Sequence, residues 1–188
     1  MTHVDEKNWA IVQFDILARE IITSSFTKNT NVILISPWFK DFEMPTTWPS
    51  FASNFLNITE TQRLGDIIKL LIKNGVTVKL VSDKIENFNW DEKNKRESRE
   101  FLEQMDDAGG EIYYNEINHG KLTATTNHVL FGSANTTSRG TSVTSTLENQ
   151  QTNVGDLFVK DVEPERYEEK IDWALNTVLA KSERATKF

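Results

Sequence analysis

Apolar positions along the chain switch between a helical and a strand-like period. Over residues 6–26, Trp9, Val12 and Ile16 form one helical stripe, and Phe14, Leu17 and Ile21 a second. Two stripes predict a helix buried on more than one side. Residues 31–40, NVILISPWFK, form an apolar run that predicts a central strand, closed at Pro37 because proline brings no donor to a ladder. Residues 59–74 give the clearest helix: Leu64, Ile67, Ile68 and Leu71 keep the i, i+3, i+4, i+7 spacing. Thr59-x-x-Gln62 reads as a capping box and Gly75 as the stop. VTVKLV, residues 76–81, reads as the next strand, so the order strand–helix–strand implies parallel pairing. A charged stretch from Lys84 leads into a helix through Ser98, Phe101, Leu102 and Met105 to Gly109-Gly110. EIYYNE, residues 111–116, is a short strand. DLFVK, residues 156–160, reads as a last strand. Pro164 opens a C-terminal helix with Tyr167, Ile171, Ala174 and Val178 on one face. Residues 1–5 and the tail after Ser182 read as frayed or disordered, and Asp41–Asn57, with its aromatics, as a long irregular loop.

Composition narrows the class. The 188 residues are 38% hydrophobic and 26% charged, enough for one domain over 1–188 with a full core. With no cysteine and neither a leader pattern nor a run long enough to cross a membrane, the expectation is a cytoplasmic protein without disulfides or thiolate metal sites. A net charge of -7 weighs against broad, tight nucleic-acid binding and against docking on anionic lipid, while allowing a local basic cleft.

The chemistry concentrates in residues 119–140, HGKLTATTNHVLFGSANTTSRG. Two apolar runs flank the turn Thr126-Asn127-His128, which predicts a hairpin. Residues of equal parity share a face, so His119, Lys121 and Thr123 point one way. On the returning strand Val129, Phe131, Ser133 and Asn135 also share a face. If those faces coincide, an imidazole, an ammonium, a hydroxyl and an amide meet at one anion. Such a set suits phosphoryl transfer: a neutral histidine attacks phosphorus, and the donors hold the non-bridging oxygens, with no metal required.

On these residues the sequence resembles the phospholipase D, or HKD, superfamily. Its motif is His-x-Lys, four residues, Asp, then a spacer to Gly-Ser-x-Asn. His119, Lys121, Gly132, Ser133 and Asn135 match; Thr126 stands where the family has Asp, and the spacer to Gly132 is one residue short. The resemblance implies an α/β fold: an α-β-α sandwich with a mixed, mostly parallel central sheet and helices on both faces. It also implies a site of His119, Lys121, Ser133 and Asn135, with a downstream carboxylate orienting the histidine. Glu148 is the best match for that role and Asp156 its rival. Trp38 near Ser36-Pro37, Thr126 and Arg139 are the expected substrate contacts. An aspartate restored at position 126 is expected to raise an activity limited by the missing carboxylate.

The function implied is a metal-independent phosphodiesterase, foremost a nuclease forming a phosphohistidine. Small single-motif members of this family are typically bacterial nucleases, and the resemblance implies a setting that some of these relatives have, bacterial restriction or phage defence. One His-x-Lys per chain implies a homodimer that pools two histidines, since a second must protonate the leaving oxygen. The alternative is a catalytically degenerate subunit that binds DNA or a protein partner in a larger assembly. A phospholipase is the third reading, disfavoured by the lack of a membrane-binding segment.

Overall fold

The computed structural model describes residues 2–4, 8–44, 62–87, 89, 91–116, 120–134, 136 and 154–186. Within them, β1 (Thr2–Val4) precedes α1 (Trp9–Ser24), β2 (Asn31–Ile35), β3 (Glu43–Met44), β4 (Gln62–Arg63), α2 (Leu64–Lys73) and β5 (Thr77–Ser82). Then come α3 (Glu92–Asp107), β6 (Glu111–Tyr114), β7 (Lys121–Ala124), β8 (His128–Gly132), β9 (Gly155–Val159), α4 (Pro164–Asp172) and β10 (Glu183–Arg184). Trp173–Val178 continues α4 as a π-helix that ends in a 3₁₀ turn, Leu179–Lys181.

Eight strands make one sheet in the order β1-β9-β8-β7-β2-β5-β6-β10. Only β2–β5 and β5–β6 pair in parallel; the other five contacts are antiparallel. The sheet is mixed, as expected, but mostly antiparallel rather than mostly parallel. Connection length explains this. Helices α2 and α3 carry the chain back between β2, β5 and β6, as parallel pairing requires. Only six residues separate β6 from β7, too few for such a crossover, so β7 must run back. Strands β7, β8 and β9 then follow one another as a meander, and β1 and β10, from the two ends of the chain, form the sheet's edges.

Helices cover both faces. Phe14, Leu17 and Ile21 of α1, with the apolar faces of α2 and α3, pack on Val32, Leu34, Val78, Leu80 and Ile112. Across the sheet, Tyr167, Ala174 and Val178 pack on Ile33, Ile35, Val81, Ala124, Val129 and Phe158. Both ends of the chain are used. Thr2–Val4 pairs with β9, and Glu183–Arg184 with β6, where fraying was expected. Helix α2 starts at Leu64, later than the expected start: the backbone of Gln62 belongs to β4, paired with β3, and Thr59 lies outside the described residues. The carboxylate of Asp41 accepts from Gly65 N at 3.0 Å in the first turn of α2.

Candidate functional site at one rim of the sheet

The β7–β8 pairing sets the site. Lys121 lies opposite Gly132, and Thr123 opposite Leu130. Cross-strand partners share a face. Lys121 therefore shares its face with Gly132 and Leu130, not with Val129 and Phe131. Thr123 fixes which face this is: its Oγ1 accepts from Gln13 Nε2 of α1 at 3.0 Å. The coincidence of faces expected from parity alone fails by one residue. Ser133 nonetheless stays close to Lys121, because it follows β8 immediately at the same end of the sheet.

That end is also where β2 and β5 finish. Ile35 pairs with Leu122, so the chain leaves β2 at Ser36 beside the start of β7. Ser36-Pro37-Trp38 is strapped to the end of β5. Ser36 N donates to Val81 O at 3.0 Å, and Ser82 Oγ and Asp83 N both donate to Pro37 O, at 3.1 and 3.0 Å. Pro37 contributes only an acceptor, as its chemistry dictates. The Ser36 hydroxyl is fully buried; it donates to Trp38 O at 2.6 Å and accepts from Thr136 N at 3.0 Å. Lys40 N donates to Thr136 O, which completes a short parallel bridge between Phe39 and Thr136. Ser36 thus ties the segment carrying Ser133 and Thr136 to the end of β2. The sequence held one signal for this role, the Ser-Pro-aromatic triplet, but nothing in it pointed to Thr136.

The glycine of Gly-Ser-x-Asn has a packing reason. Gly132 pairs with Gly155, and the indole of Trp9 lies against both. A Cβ on Gly132 would stand 2.4 Å from Val154 O and 2.8 Å from Trp9 Cη2; one on Gly155 would stand 2.3 Å from Trp9 Cζ3. Real side chains do not approach so closely, so two bare backbones are the condition for burying Trp9 there. Beside them, Ser133 Oγ accepts from Val154 N at 3.0 Å and lies 3.3 Å from Val154 O.

Lys121 is half-buried, and burial pushes its pKa below the ordinary value of 10.5. Trp38 is half-buried at the same rim, packed against the larger core. His119, Asn135, Arg139 and Glu148 lie outside the described residues. Asp156 pairs in register with Phe131, on the face opposite Lys121, and its Oδ1 is 3.4 Å from His3 Nδ1.

Thr126 sits at the far end of the hairpin, about 16 Å along β7 from Lys121 at the usual rise per residue. It does not join the rim. Its backbone N donates to Glu20 Oε2 at 3.0 Å, and its hydroxyl donates to Glu20 Oε1. Glu20 is buried on α1, and burial raises its pKa, offset in part by the Thr126 hydrogen bonds. Tyr167 closes the same turn, its hydroxyl 2.8 Å from Thr125 O and 2.9 Å from Thr126 O; burial pushes its pKa up to about 12. A carboxylate does meet the turn here, but it comes from α1. An aspartate at 126 would face Glu20 rather than fill a gap.

Among the described residues, no three His, Asp or Glu side chains stand close enough to hold a metal ion. No helix among them is long and apolar enough to cross a membrane.

The sequence matches the family model described as cardiolipin synthase, PLD-like domain, over residues 50–163. That span contains the whole β7–β8 hairpin and the Gly-Ser-x-Asn stretch, and covers more than half of the chain. The chain belongs to the phospholipase D-like family. No curated protein matches it. Among solved structures it is similar to TrmBL2, an archaeal chromatin protein whose structure is described as showing a novel mode of DNA binding. The identity is 14% and the TM-score 0.47, and the match covers 98% of this chain and 54% of that one. The chain spans about half the length of that protein.

Proposed function

We propose that the protein is a metal-independent phosphodiesterase acting on nucleic acid, with His119 as nucleophile and Lys121, Ser133 and Asn135 holding the phosphoryl oxygens. The observation that carries this reading is the β7–β8 register. In a chain of the phospholipase D-like family, it sets Lys121 beside Gly132-Ser133 at the rim where β2 and β5 end. Clefts beyond the carboxyl ends of parallel strands are where α/β sheets bind their ligands.

In the first step a nitrogen of His119 forms a bond to phosphorus and the ester oxygen departs, taking a proton from a second imidazole. In the second, water attacks phosphorus, gives a proton to that second imidazole, and the phosphorus–nitrogen bond breaks. Neither other histidine of the chain suits the acid role. His3 stands beside Asp156, which shares the face opposite Lys121, and His128 opens β8 at the turn end. A homodimer bringing two copies of His119 to one phosphate meets the need. A role in bacterial restriction or phage defence is the setting we favour.

The test is turnover of bis-p-nitrophenyl phosphate with EDTA present, for wild type and His119→Ala. Hydrolysis that resists EDTA and disappears with His119→Ala supports the reading. Wild type without turnover, together with retained binding of DNA or a protein partner, would instead identify a degenerate subunit. Mixing inactive His119→Ala with wild type probes the shared site, since mixed dimers should be dead.

A further inference from the structure

Away from the rim, the turn end of the sheet holds a pocket of about 350 Å³. It arises from the path of the C-terminal segment. Helix α4 starts just after β9, and the chain reaches β6 only at Glu183, opposite Tyr114 at the rim end of that strand. The covering segment thus crosses the sheet obliquely and leaves the starts of β2 and β5 open on that face.

The floor follows from register. Lys79 pairs with Ile33, and Ile33 with Ala124, so the three stand in one row on one face. Tyr167 of α4 packs on Ile33 and Ala124, which makes this the face opposite Lys121 and α1. Tyr167, Ile171 and Leu175 recur every four residues and form the facing wall. Tyr167 is pinned by its hydrogen bonds to Thr125 O and Thr126 O, while Leu175 leaves an apolar side chain exposed.

The charge of the lining is one-sided. The chain carries 28 acidic against 21 basic side chains, yet among the described residues the pocket is lined by two lysines, Lys79 and Lys160, and no carboxylate. Lys79 Nζ is 3.9 Å from Glu111 Oε2, a long ion pair, and that oxygen also accepts from the Tyr113 hydroxyl at 2.8 Å. An ammonium has three donors, so this contact leaves others for a ligand. Asn31, also in the lining, is the diagonal neighbour of Lys79 across β2 and β5, within reach of a long side chain. Lys160 Nζ lies 5.7 Å from the centre of the Tyr167 ring. Ligand pockets run from about 300 to 1,000 Å³, so this one takes a small molecule.

We infer that the pocket binds a small amphipathic anion, its acidic group held by Lys79 and Asn31 and its apolar body laid on Ile33, Ala124 and Leu175. Lys160 adds to the attraction from the β9 side. The site differs from the rim in both end and face, so the inference does not rest on the phosphodiesterase reading. An occupant bridges the C-terminal segment to β2 and β5 and stabilises the fold by mass action.

The probes are octanoate and octyl phosphate, with 1-octanol as the uncharged control, each below its micelle-forming concentration. Isothermal titration calorimetry on the full chain reads affinity, and thermal melting reads stabilisation. At least one anion should bind one-to-one and raise the melting temperature; the tighter of the two identifies the head as carboxylate or phosphate. 1-Octanol should bind about 10- to 100-fold more weakly, the usual worth of hydrogen bonds to a charged group. Lys79→Met keeps the apolar stem and should remove most of this preference for the anion. Leu175→Glu alters an exposed position, sets an acid in the wall and should lower the same preference. If Lys79→Met does not fold, Leu175→Glu decides alone. Binding of neither anion by wild type overturns the site, and so does an anion-to-alcohol affinity ratio within twofold of wild type in either folded variant.

Discussion

The two ends of the β7–β8 hairpin are built on opposite plans. At the turn end, Thr125 and Thr126 are held by side chains from two helices on opposite faces of the sheet. Glu20 of α1 takes two hydrogen bonds from Thr126, and Tyr167 of α4 reaches two backbone carbonyls. At the rim end, the fixing groups are small: the Ser36 hydroxyl, the bare backbones of Gly132 and Gly155 under Trp9, and Ser133 against Val154. A one-residue slip would turn every side chain of a strand to the other face. The turn end can therefore fix the register, and the rim can give its polar groups to a ligand. Stability and chemistry are separated along one strand pair, and substitutions at the two ends should separate them too.

The largest effect is expected at the rim. Lys121→Ala should reduce kcat by about 10²–10³, the usual result of removing a donor to a developing charge, with little change in melting temperature. Burial lowers the Lys121 pKa. The wild-type rate should therefore decline on its alkaline side before an ordinary lysine would titrate, and Lys121→Arg should extend the plateau upward. Next comes Gly132→Ala, whose methyl would overlap Val154 O and Trp9. Overpacking of this kind costs about 1–3 kcal/mol, read as a lower denaturant midpoint, and it should also depress kcat by shifting Ser133. If both midpoint and rate are unchanged, the close approach of Trp9 is wrong.

The turn end should show the reverse. Glu20→Ala leaves the Thr126 N–H without its acceptor and should cost about 1–3 kcal/mol of stability while kcat is retained. At this chain length each kcal/mol is about 2–4 °C in melting temperature. Loss of kcat in the folded Glu20→Ala protein would break the contrast. Thr126→Asp sets a second carboxylate against Glu20, so it should destabilise rather than activate. Tyr167→Phe should cost about 0.5–1.5 kcal/mol.

The smallest effect is in pH dependence. The folded pKa of Glu20 is raised above its ordinary 4.5, so the native state binds more protons than the unfolded chain between those values. This stabilising term is fully present below 4.5 and is lost as pH rises through the folded value. Glu20→Gln removes the titration. The stability of Glu20→Gln relative to wild type should therefore grow as pH rises through that window. A difference that shrinks instead would mean the carboxylate is stabilised as the anion.

Much of this was legible in the sequence, and the losses have particular causes. The apolar periods of α1 and α2, the β2–α2–β5 unit and the His-x-Lys…Gly-Ser-x-Asn order all report local pattern. Sheet direction away from that unit depends on how many residues connect β6 to β7, which periodicity does not weigh. The parity argument gave the faces of each strand but not the register between them, so Phe131 was grouped with the wrong face. Thr126 was aligned to the motif by spacing, yet its partner Glu20 lies 106 residues away, and no local pattern reports such a pair. Thr59-x-x-Gln62 has the letters of a capping box, but the helix starts only at Leu64, where Asp41, distant in sequence, accepts from Gly65 N.

The pairing of β1 with β9 bears on the order in which the molecule folds. His3 and Asp156, opposite one another in this ladder, are 153 positions apart in the chain. The β2, β5 and β6 strands and the β7–β8 hairpin close much shorter loops. Contacts of such long separation form after local ones have shortened the effective loop. Strand β1 should therefore dock last in refolding and open first in native-state hydrogen exchange, with its amides exchanging through an opening that leaves β7 and β8 protected.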